Sequence, residues 1–234
     1  MKIKSKIKRA LFFLLISCCT YSQNGEEILR KVRTQYSSNK SLQFSTTYNL
    51  YKRQQDKKVY EFYTGLYFKN ADNEVYIKIN DTEYLITKRI NAQISNEEKA
   101  VLITNGTNIL SKEYDFGNLF DDFQKPLIKD KKTYWEMEFK AKPITTQPYS
   151  KLVLHIGKDY FIQKQIFYYA NAMDFSGDYR KQDMEYPRLE IIFGKHSREN
   201  VPLALFDTSK YFTVANKKVT LAARYRNYEL IDHR

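Results

Sequence analysis

The 234 residues suffice for one sizeable domain, and the low counts of glycine (7) and proline (5) exclude a disordered or collagen-like chain. The formal net charge is +12, but the basic residues beyond the first 22 positions are scattered, which favours a solvated basic surface over a nucleic-acid site. Aromatic residues make up 15% of the chain, and this high share is typical of a β-rich fold.

The first 22 residues have the features of an export signal. A basic stretch from Lys2 to Arg9 precedes a short apolar run at 10–16, which is far below the ~20 residues that a membrane-spanning helix needs. The sequence fits two alternative processing sites. Cleavage after Ser22 would remove a signal peptide of residues 1–22 and leave residues 23–234. Alternatively, Leu15-Ile16-Ser17-Cys18 resembles a lipobox, in which case Cys18 would be lipidated after removal of residues 1–17.

Residues 24–38 are predicted to form an amphipathic helix. Asn24 and Glu27 have the spacing of a capping box, and apolar residues then recur about every 3.6 positions. The apolar face consists of Ile28, Leu29, Val32 and Tyr36. This face predicts packing against a sheet.

Residues 41–88 alternate between apolar and polar side chains, with short polar turns between the runs. This pattern predicts four antiparallel strands with one buried face. The residues predicted to point inward are Phe44, Tyr48, Leu50, Phe62, Leu66, Val75 and Ile77.

Further strands are predicted at 89–94, 100–104, 134–140, 151–156, 160–169, 188–193 and 217–230. Trp135, Met137 and Phe139 form the inward face of the strand at 134–140. Residues 118–125 are predicted to form a short helix, with Leu119, Phe120 and Phe123 on one side. No repeat or linker interrupts the pattern, so residues 23–234 are predicted to form a single domain.

Motifs that carry chemistry are missing from the sequence. It contains three histidines far apart, and no glycine-rich phosphate loop, nucleophile elbow or metalloprotease helix. The acidic residues Asp174, Asp178, Asp183 and Glu185 do not have the spacing of a calcium-binding EF-hand loop. We therefore expect no catalytic residue, no metal site and no cofactor.

Four segments resemble the LolA-like family of periplasmic lipoprotein carriers. The first is the helix start Glu26-Glu27-Ile28-Leu29-Arg30-Lys31-Val32, and the second is the strand Phe62-Tyr63-Thr64-Gly65-Leu66-Tyr67-Phe68-Lys69 with its central glycine. The third is the turn Asn105-Gly106-Thr107-Asn108-Ile109-Leu110. The fourth is Phe206-Asp207-Thr208-Ser209-Lys210-Tyr211-Phe212-Thr213.

The resemblance implies a mainly β (α+β) fold: a curved antiparallel sheet that forms an incomplete barrel. The N-terminal amphipathic helix and a short helix would cover its concave face. The implied cavity would be apolar and would receive acyl chains. Its expected ligand-binding residues are Phe44, Tyr48, Leu50, Phe62, Leu66, Val75, Ile77, Trp135, Met137 and Phe139, and its expected lid residues are Ile28, Leu29, Val32, Leu119, Phe120 and Phe123.

The resulting hypothesis is a non-enzymatic, monomeric carrier or chaperone of the periplasm. It would bind lipid or lipoprotein acyl chains and exchange them with membrane-bound donor and acceptor proteins, without binding nucleic acid. The alternative is an accessory protein that is anchored to the outer membrane through Cys18 and binds another protein. The carrier hypothesis requires open space between the covering helices and the sheet.

Overall fold

The computed structural model describes residues 25–106, 119–178 and 180–234. The predicted export signal with Cys18, and the predicted capping residue Asn24, lie outside the described residues. None of the described helices is both long enough and apolar enough to cross a membrane.

The described residues form two α-helices, sixteen strands and three short 3-10 helices. The α-helices are α1 (Gly25–Ser37) and α2 (Leu119–Asp122). The strands of the first half are β1 (Leu42–Tyr51), β2 (Glu61–Lys69), β3 (Val75–Ile79), β4 (Thr82–Ile86), β5 (Ile90–Ser95) and β6 (Ala100–Asn105). Those of the second half are β7 (Leu127–Asp130), β8 (Tyr134–Lys140), β9 (Tyr149–Gly157), β10 (Ile162–Tyr169), β11 (Met173–Asp174), β12 (Met184–Glu185), β13 (Arg188–Phe193), β14 (Phe212–Ala215), β15 (Lys218–Leu221) and β16 (Glu229–His233). The 3-10 helices are Leu203–Phe206, Thr208–Lys210 and Ala223–Tyr225.

Twelve of the described strands form one curved sheet in the order β16-β6-β5-β4-β3-β2-β1-β13-β10-β9-β8-β7. The strands β1 and β13 pair in the middle and join a meander of β1–β6 to the second half of the chain. The sheet does not close into a barrel, so the predicted incomplete barrel is confirmed. Its one parallel pair, β16 with β6, makes the sheet mixed where an antiparallel sheet was predicted.

Helix α1 packs on the concave face of the sheet, as its amphipathic pattern predicted. The four residues of its apolar face, Ile28, Leu29, Val32 and Tyr36, are at most 3% exposed. They belong to one apolar cluster with residues of β1, β3, β8 and β9, including Phe44 and Met137. Gly25 lies close to this surface, since a Cβ there would approach the Met137 Cε to 3.1 Å. Burial against the sheet, more than helix propensity, therefore holds α1 in place.

A second apolar cluster lies on the convex face of β3–β6. The chain from Val201 to Tyr228 crosses this face and buries Phe212 and Tyr225 to 1% and 2% exposure. Residues 217–230, predicted as one strand, instead contain β15, a 3-10 helix and the start of β16. The left-handed backbone of Asn216 and Lys217, with φ of 50° and 63°, makes the tight turn that separates β14 from β15.

The face predicted for β2 is wrong. The β1–β2 pairing places Tyr67 opposite Phe44 and Gly65 opposite Thr46, so the odd-numbered residues of β2 point to the concave face. Phe62 and Leu66 therefore lie on the convex face and are 65% and 44% exposed. The error has a physical reason: both faces of this strand carry large apolar side chains, so alternation alone does not choose between them.

Candidate functional site

The concave face is packed in one part and open in another. Beneath α1 and α2, side chains such as Val75, Met137 and Phe139 have no exposed surface. Beyond the end of α1, residues on the same face, such as Tyr48 and Ile191, are only half-buried. The prediction of open space between the covering helices and the sheet is therefore wrong: the sheet surface under α1 is filled by side chains, and the open space lies beside the helix.

A cavity of about 170 Å³ occupies the open part, and we call it the concave cavity. Its lining residues are Phe44, Thr46, Tyr48, Leu66, Tyr67, Ile77, Gln165, Ile191 and Phe193. Strand pairing brings these residues together from distant parts of the chain: Tyr48 lies opposite Ile191, which in turn lies opposite Gln165. Leu66 borders the cavity, but the register of β2 directs its side chain to the convex face.

Aromatic rings form the wall of the cavity nearest to α1. Phe44 and Tyr67 stack with a centroid distance of 4.5 Å and an interplanar angle of 11°. Phe193 lies 5.7 Å from Phe44, and Tyr36 of α1 meets Phe44 edge to face at 6.2 Å. Such aromatic pairs add to the stability that burial provides, so this wall is pre-formed in the free protein.

Gly65 allows β1 and β2 to present a flat surface beside the cavity. A Cβ at this position would collide with the Thr46 Oγ1 and would lie 3.2 Å from the Tyr48 Cε2. The missing side chain thus leaves room for the Thr46 hydroxyl and the Tyr48 ring on the concave face.

His196 joins α1 to the aromatic wall. Its Nε2 lies 2.9 Å from the Tyr36 hydroxyl, and its ring stacks on Phe161 at 4.4 Å. The Tyr36 hydroxyl also accepts a hydrogen bond from the Ile162 backbone N–H at 3.2 Å. Burial lowers the pKa of His196 to about 4, so its imidazole is neutral at pH 7.

Two cations hold the C-terminal end of α1. Arg198 donates to the Gln35 carbonyl at 2.6 Å and to the Ser38 hydroxyl at 3.0 Å. Lys69 donates to the Ser38 carbonyl and to the Asn73 side chain. Burial, and then the neighbouring Arg198, lower the pKa of Lys69 to about 8. Positive charge at this end complements the helix dipole and supplies donors for unpaired carbonyls.

The predicted site residues separate into three groups. Phe44, Tyr48 and Ile77 line the concave cavity, and Leu50 lies farther along the same face, opposite Leu189. The buried residues of the packed part are Val75, Trp135, Met137 and Phe139. Phe62 and Leu66 have their side chains on the other face.

The predicted lid residues all pack on the concave cluster. Those of α1 and Phe123 are buried, whereas Leu119 and Phe120 are partly buried. Phe120 and Phe123 meet Phe139 edge to face at 6.2 and 6.4 Å. Whether these residues act as a lid over a ligand stays a prediction.

Sequence reasoning missed Thr46, Tyr67, Gln165, Ile191 and Phe193 as members of the site. Alternation in β13 does place Ile191 and Phe193 on one face, and this was the available signal. Their place in the cavity depends on the pairing of β13 with β1, which joins residues about 145 positions apart in the chain.

The chemistry that the cavity offers is apolar contact together with a few neutral hydrogen-bonding groups. Its lining contains no lysine, arginine, histidine, aspartate or glutamate. Across residues 25–106, 119–178 and 180–234, no group of three or more histidine, cysteine, aspartate or glutamate side chains is placed to hold a metal ion.

No family model and no curated protein matches the chain. Among solved structures, it is similar to a LolA superfamily protein from Nitrosomonas europaea, with 11% identity, a TM-score of 0.37, and coverage of 80% of this chain and 99% of that chain. It is also similar to an uncharacterized conserved protein from Thermus thermophilus, with 10% identity, a TM-score of 0.48, and coverage of 89% and 98%.

A third similar structure is a putative outer membrane lipoprotein-sorting protein domain from Vibrio parahaemolyticus, with 11% identity, a TM-score of 0.33, and coverage of 78% of this chain and 96% of that chain. The solved structures that this chain resembles include a LolA superfamily protein, the family that the sequence segments also resemble. At these identities and TM-scores, function has to be argued from the concave surface itself.

Proposed function

We propose that the protein is a non-enzymatic carrier or chaperone that binds lipid or lipoprotein acyl chains on its concave face. The observation that supports this most directly is the concave cavity, which opens beside α1 and is lined mainly by aliphatic and aromatic side chains. Concave, largely apolar and pre-formed surfaces are the usual form of sites for apolar ligands.

The volume of the cavity sets the length of chain that it accepts. An apolar cavity of roughly 150 Å³ holds benzene, so about 170 Å³ accommodates about six carbons of an acyl chain. At ~0.8 kcal/mol per buried methylene, six carbons contribute roughly 5 kcal/mol. This corresponds to a dissociation constant of about 0.2 mM at best, so the cavity alone is a weak site.

The open concave face beyond the cavity can contact the rest of a longer chain. Leu50 lies opposite Leu189, and Leu189 lies opposite Phe167, so an apolar row continues across β1, β13 and β10. All three residues are half-buried. We therefore expect affinity to rise roughly 10- to 100-fold from a six-carbon to a twelve-carbon chain, since methylenes on an open surface are only partly buried.

Two adjacent residues of β13 provide a matched test. Ile191 lines the concave cavity, whereas Ile192 is 40% exposed on the convex face. Binding of a fluorescent acylated peptide is measured by anisotropy for wild type, Ile191→Arg and Ile192→Arg. Ile191→Arg should abolish saturable binding because it places an unpaired charge in an apolar site. Ile192→Arg should bind as wild type does.

Two results would contradict the proposal. The first is a folded wild-type protein that shows no saturable binding of any acylated peptide. The second is equal binding by the two arginine variants, because this would place the ligand somewhere other than the concave cavity.

We place this carrier in the periplasm, after cleavage at Ser22. Mass spectrometry of the mature N-terminus tests the location, because a chain that begins at an acylated Cys18 would be anchored to the outer membrane. An anchored protein is a poor diffusing shuttle, so that result would favour the accessory-protein function.

The convex face supports this second candidate function, binding of another protein. Phe62, Leu66 and Ile192 are exposed there, and strand pairing places them around Thr47 and Thr64. The same two β13 variants separate the candidates. Loss of cofractionation with envelope proteins in Ile192→Arg, but not in Ile191→Arg, would favour protein binding.

A further inference from the structure

The concave cavity contains one polar side chain whose position strand alternation does not explain. Gln165 lies between Ile191 of β13 and Leu154 of β9, and both of these neighbours are apolar. The Gln165 side chain is half-buried, so solvent reaches its amide in the free protein, and a ligand that covers it must supply a hydrogen-bond partner. No hydrogen bond from the Gln165 side chain to another described residue is found.

A β-bulge in β10 directs Gln165 into the cavity. The register runs from Ile162 opposite Ile156 to Lys164 opposite His155, so β10 has one extra residue at Gln163. If β10 alternated regularly through Gln163, Lys164 and Ile166 would share the face of Ile162. With it, Gln165 faces the cavity and Ile166 lies opposite Val153 on the other face. Bulges of this kind often re-aim a side chain beside a functional site.

We propose that Gln165 is a specificity-determining residue that donates a hydrogen bond to the carbonyl of an ester- or amide-linked acyl group. This inference rests on the proposed function and adds the chemical class of the group that carries the chain. The amide N–H groups of Gln165 are suited to a carbonyl oxygen, and the Thr46 hydroxyl is a second donor in the same lining.

The chemistry of the lining disfavours two other classes of ligand, free fatty acids and pure hydrocarbons. A free fatty acid would bring an ionised carboxylate to a site whose lining has no cation, and it would lose hydration without a counter-charge. A pure hydrocarbon would cover the Gln165 amide and leave its donors unsatisfied. An ester or amide is neutral and supplies the acceptor, so it avoids both costs.

The test compares three probes: dodecanoylglycerol, dodecanoate and the neutral, carbonyl-free fluorophore N-phenyl-1-naphthylamine. Direct binding of the fluorophore and its displacement by the other two give three dissociation constants. For wild type we expect dodecanoylglycerol to bind at least ~10-fold more tightly than dodecanoate, a difference of about 1.4 kcal/mol.

The decisive variant is Gln165→Leu, with Gln163→Leu as the matched control. Gln163 is in the same strand but is exposed. Gln165→Leu should weaken dodecanoylglycerol binding about 10-fold and should not weaken fluorophore binding, whereas Gln163→Leu should change neither. If Gln165→Leu does not fold by circular dichroism, Gln165→Met, which keeps the side-chain length, is measured with the same expectation.

The outcomes separate this inference from the proposed function. If none of the three probes binds saturably to wild type, the proposed function fails and the role of Gln165 fails with it. Two outcomes would overturn only the role of Gln165. In the first, the probes bind but dodecanoate has the same dissociation constant as dodecanoylglycerol. In the second, the Gln165 variants bind dodecanoylglycerol as tightly as wild type does.

Discussion

At the scale of single residues, His196 shows how burial controls a charge at the edge of the site. Its imidazole is surrounded by Tyr36, Phe44, Phe161 and Phe193, which offer ring contacts and one hydroxyl. Burial lowers its pKa, Arg198 lowers it further, and Asp159 opposes the shift. A protonated His196 would place a poorly hydrated charge in this aromatic cluster.

The pH dependence of stability follows from this shift. The pKa of His196 falls from 6.5 in the unfolded chain to about 4 in the fold, so between these values the unfolded chain binds more protons. The contribution of His196 to the free energy of unfolding is therefore fully present above pH 6.5 and is lost as the pH falls towards 4. We expect His196→Phe to remove about 2 kcal/mol of the difference in unfolding free energy between pH 7 and pH 4.5. Urea titrations of wild type and His196→Phe at both pH values measure this difference. If both proteins lose the same unfolding free energy between pH 7 and pH 4.5, His196 is not the group responsible.

Gly65 is a second position where one residue shapes the site. Gly65→Ala should lower the free energy of unfolding by about 1–3 kcal/mol, because the new methyl group collides with Thr46. In a Thr46→Ala background the cost should be smaller, since the colliding hydroxyl is gone. Gly177→Ala is the control, as nothing lies within 4 Å of a Cβ there. Denaturant unfolding of all variants tests the coupling, and additive costs would argue against direct contact.

At the scale of elements, α1 depends on the side chains that hold its C-terminal end. Arg198 comes from the segment after β13 and reaches both Gln35 and Ser38. Tyr36 of α1 packs on Phe44, which lines the concave cavity, so these hydrogen bonds also support one wall of the site. A helix of thirteen residues is marginal without such tertiary contacts.

Replacing Arg198 should loosen α1. Arg198→Ala should lower the free energy of unfolding by about 2–3 kcal/mol, because it removes charge-assisted hydrogen bonds to the helix end. Arg198→Lys should restore only part of this, since an ammonium group lacks the planar fork of a guanidinium group. Hydrogen exchange of α1 amides measures the effect locally. Unchanged protection of α1 in Arg198→Ala would contradict this role of Arg198.

At the scale of the whole molecule, the sheet has an apolar cluster on each face, at different positions along the strand order. The concave cluster lies under α1, and the convex cluster lies between β3–β6 and residues 201–228. Tyr76 and Tyr211 both donate hydrogen bonds to Glu83, at 2.9 and 2.7 Å, and so join the C-terminal segment to the sheet. The C-terminal segment is thus part of the fold and not an appendage.

The convex cluster should carry a large share of the stability. Tyr225 is 2% exposed, so Tyr225→Ala should cost about 3–5 kcal/mol, the range for removing a large buried aromatic ring. The neighbouring Arg226 is exposed, and Arg226→Ala should change stability by less than about 0.5 kcal/mol. Thermal unfolding compares the two variants. Equal midpoints would show that this segment does not stabilise the sheet.

Alternation predicted most of the strands because each carries its own pattern of buried and exposed residues. The bounds of β8 and β13 agree with the predictions at 134–140 and 188–193, and α1 agrees in the position of its apolar face. Where a strand is apolar on both faces, as in β2, the pattern predicted the strand but not which of its faces is buried. Residues 217–230 were predicted poorly because the 3-10 helix Ala223–Tyr225 separates β15 from β16. That helix buries Tyr225 against distant strands, a contact that local alternation does not record.

The concave cavity could be predicted only in part. Phe44, Tyr48 and Ile77 follow from local alternation in the meander, whereas Ile191 and Gln165 enter the site through pairings between distant strands and through a bulge. A bulge shifts every later residue of its strand to the other face, and the sequence of β10 gives no sign of the extra residue.

The sequence by itself determined a β-rich fold with an amphipathic helix, because each element must bury the apolar side of its own repeat. It also shows that a glycine-rich phosphate loop, a nucleophile elbow and a metalloprotease helix are missing. The tertiary structure alone decided which face of β2 is covered, where the space for a ligand lies and that Gln165 points into it. The physical reason is that register between strands is set by contacts among residues far apart in the chain, which no local repeat records.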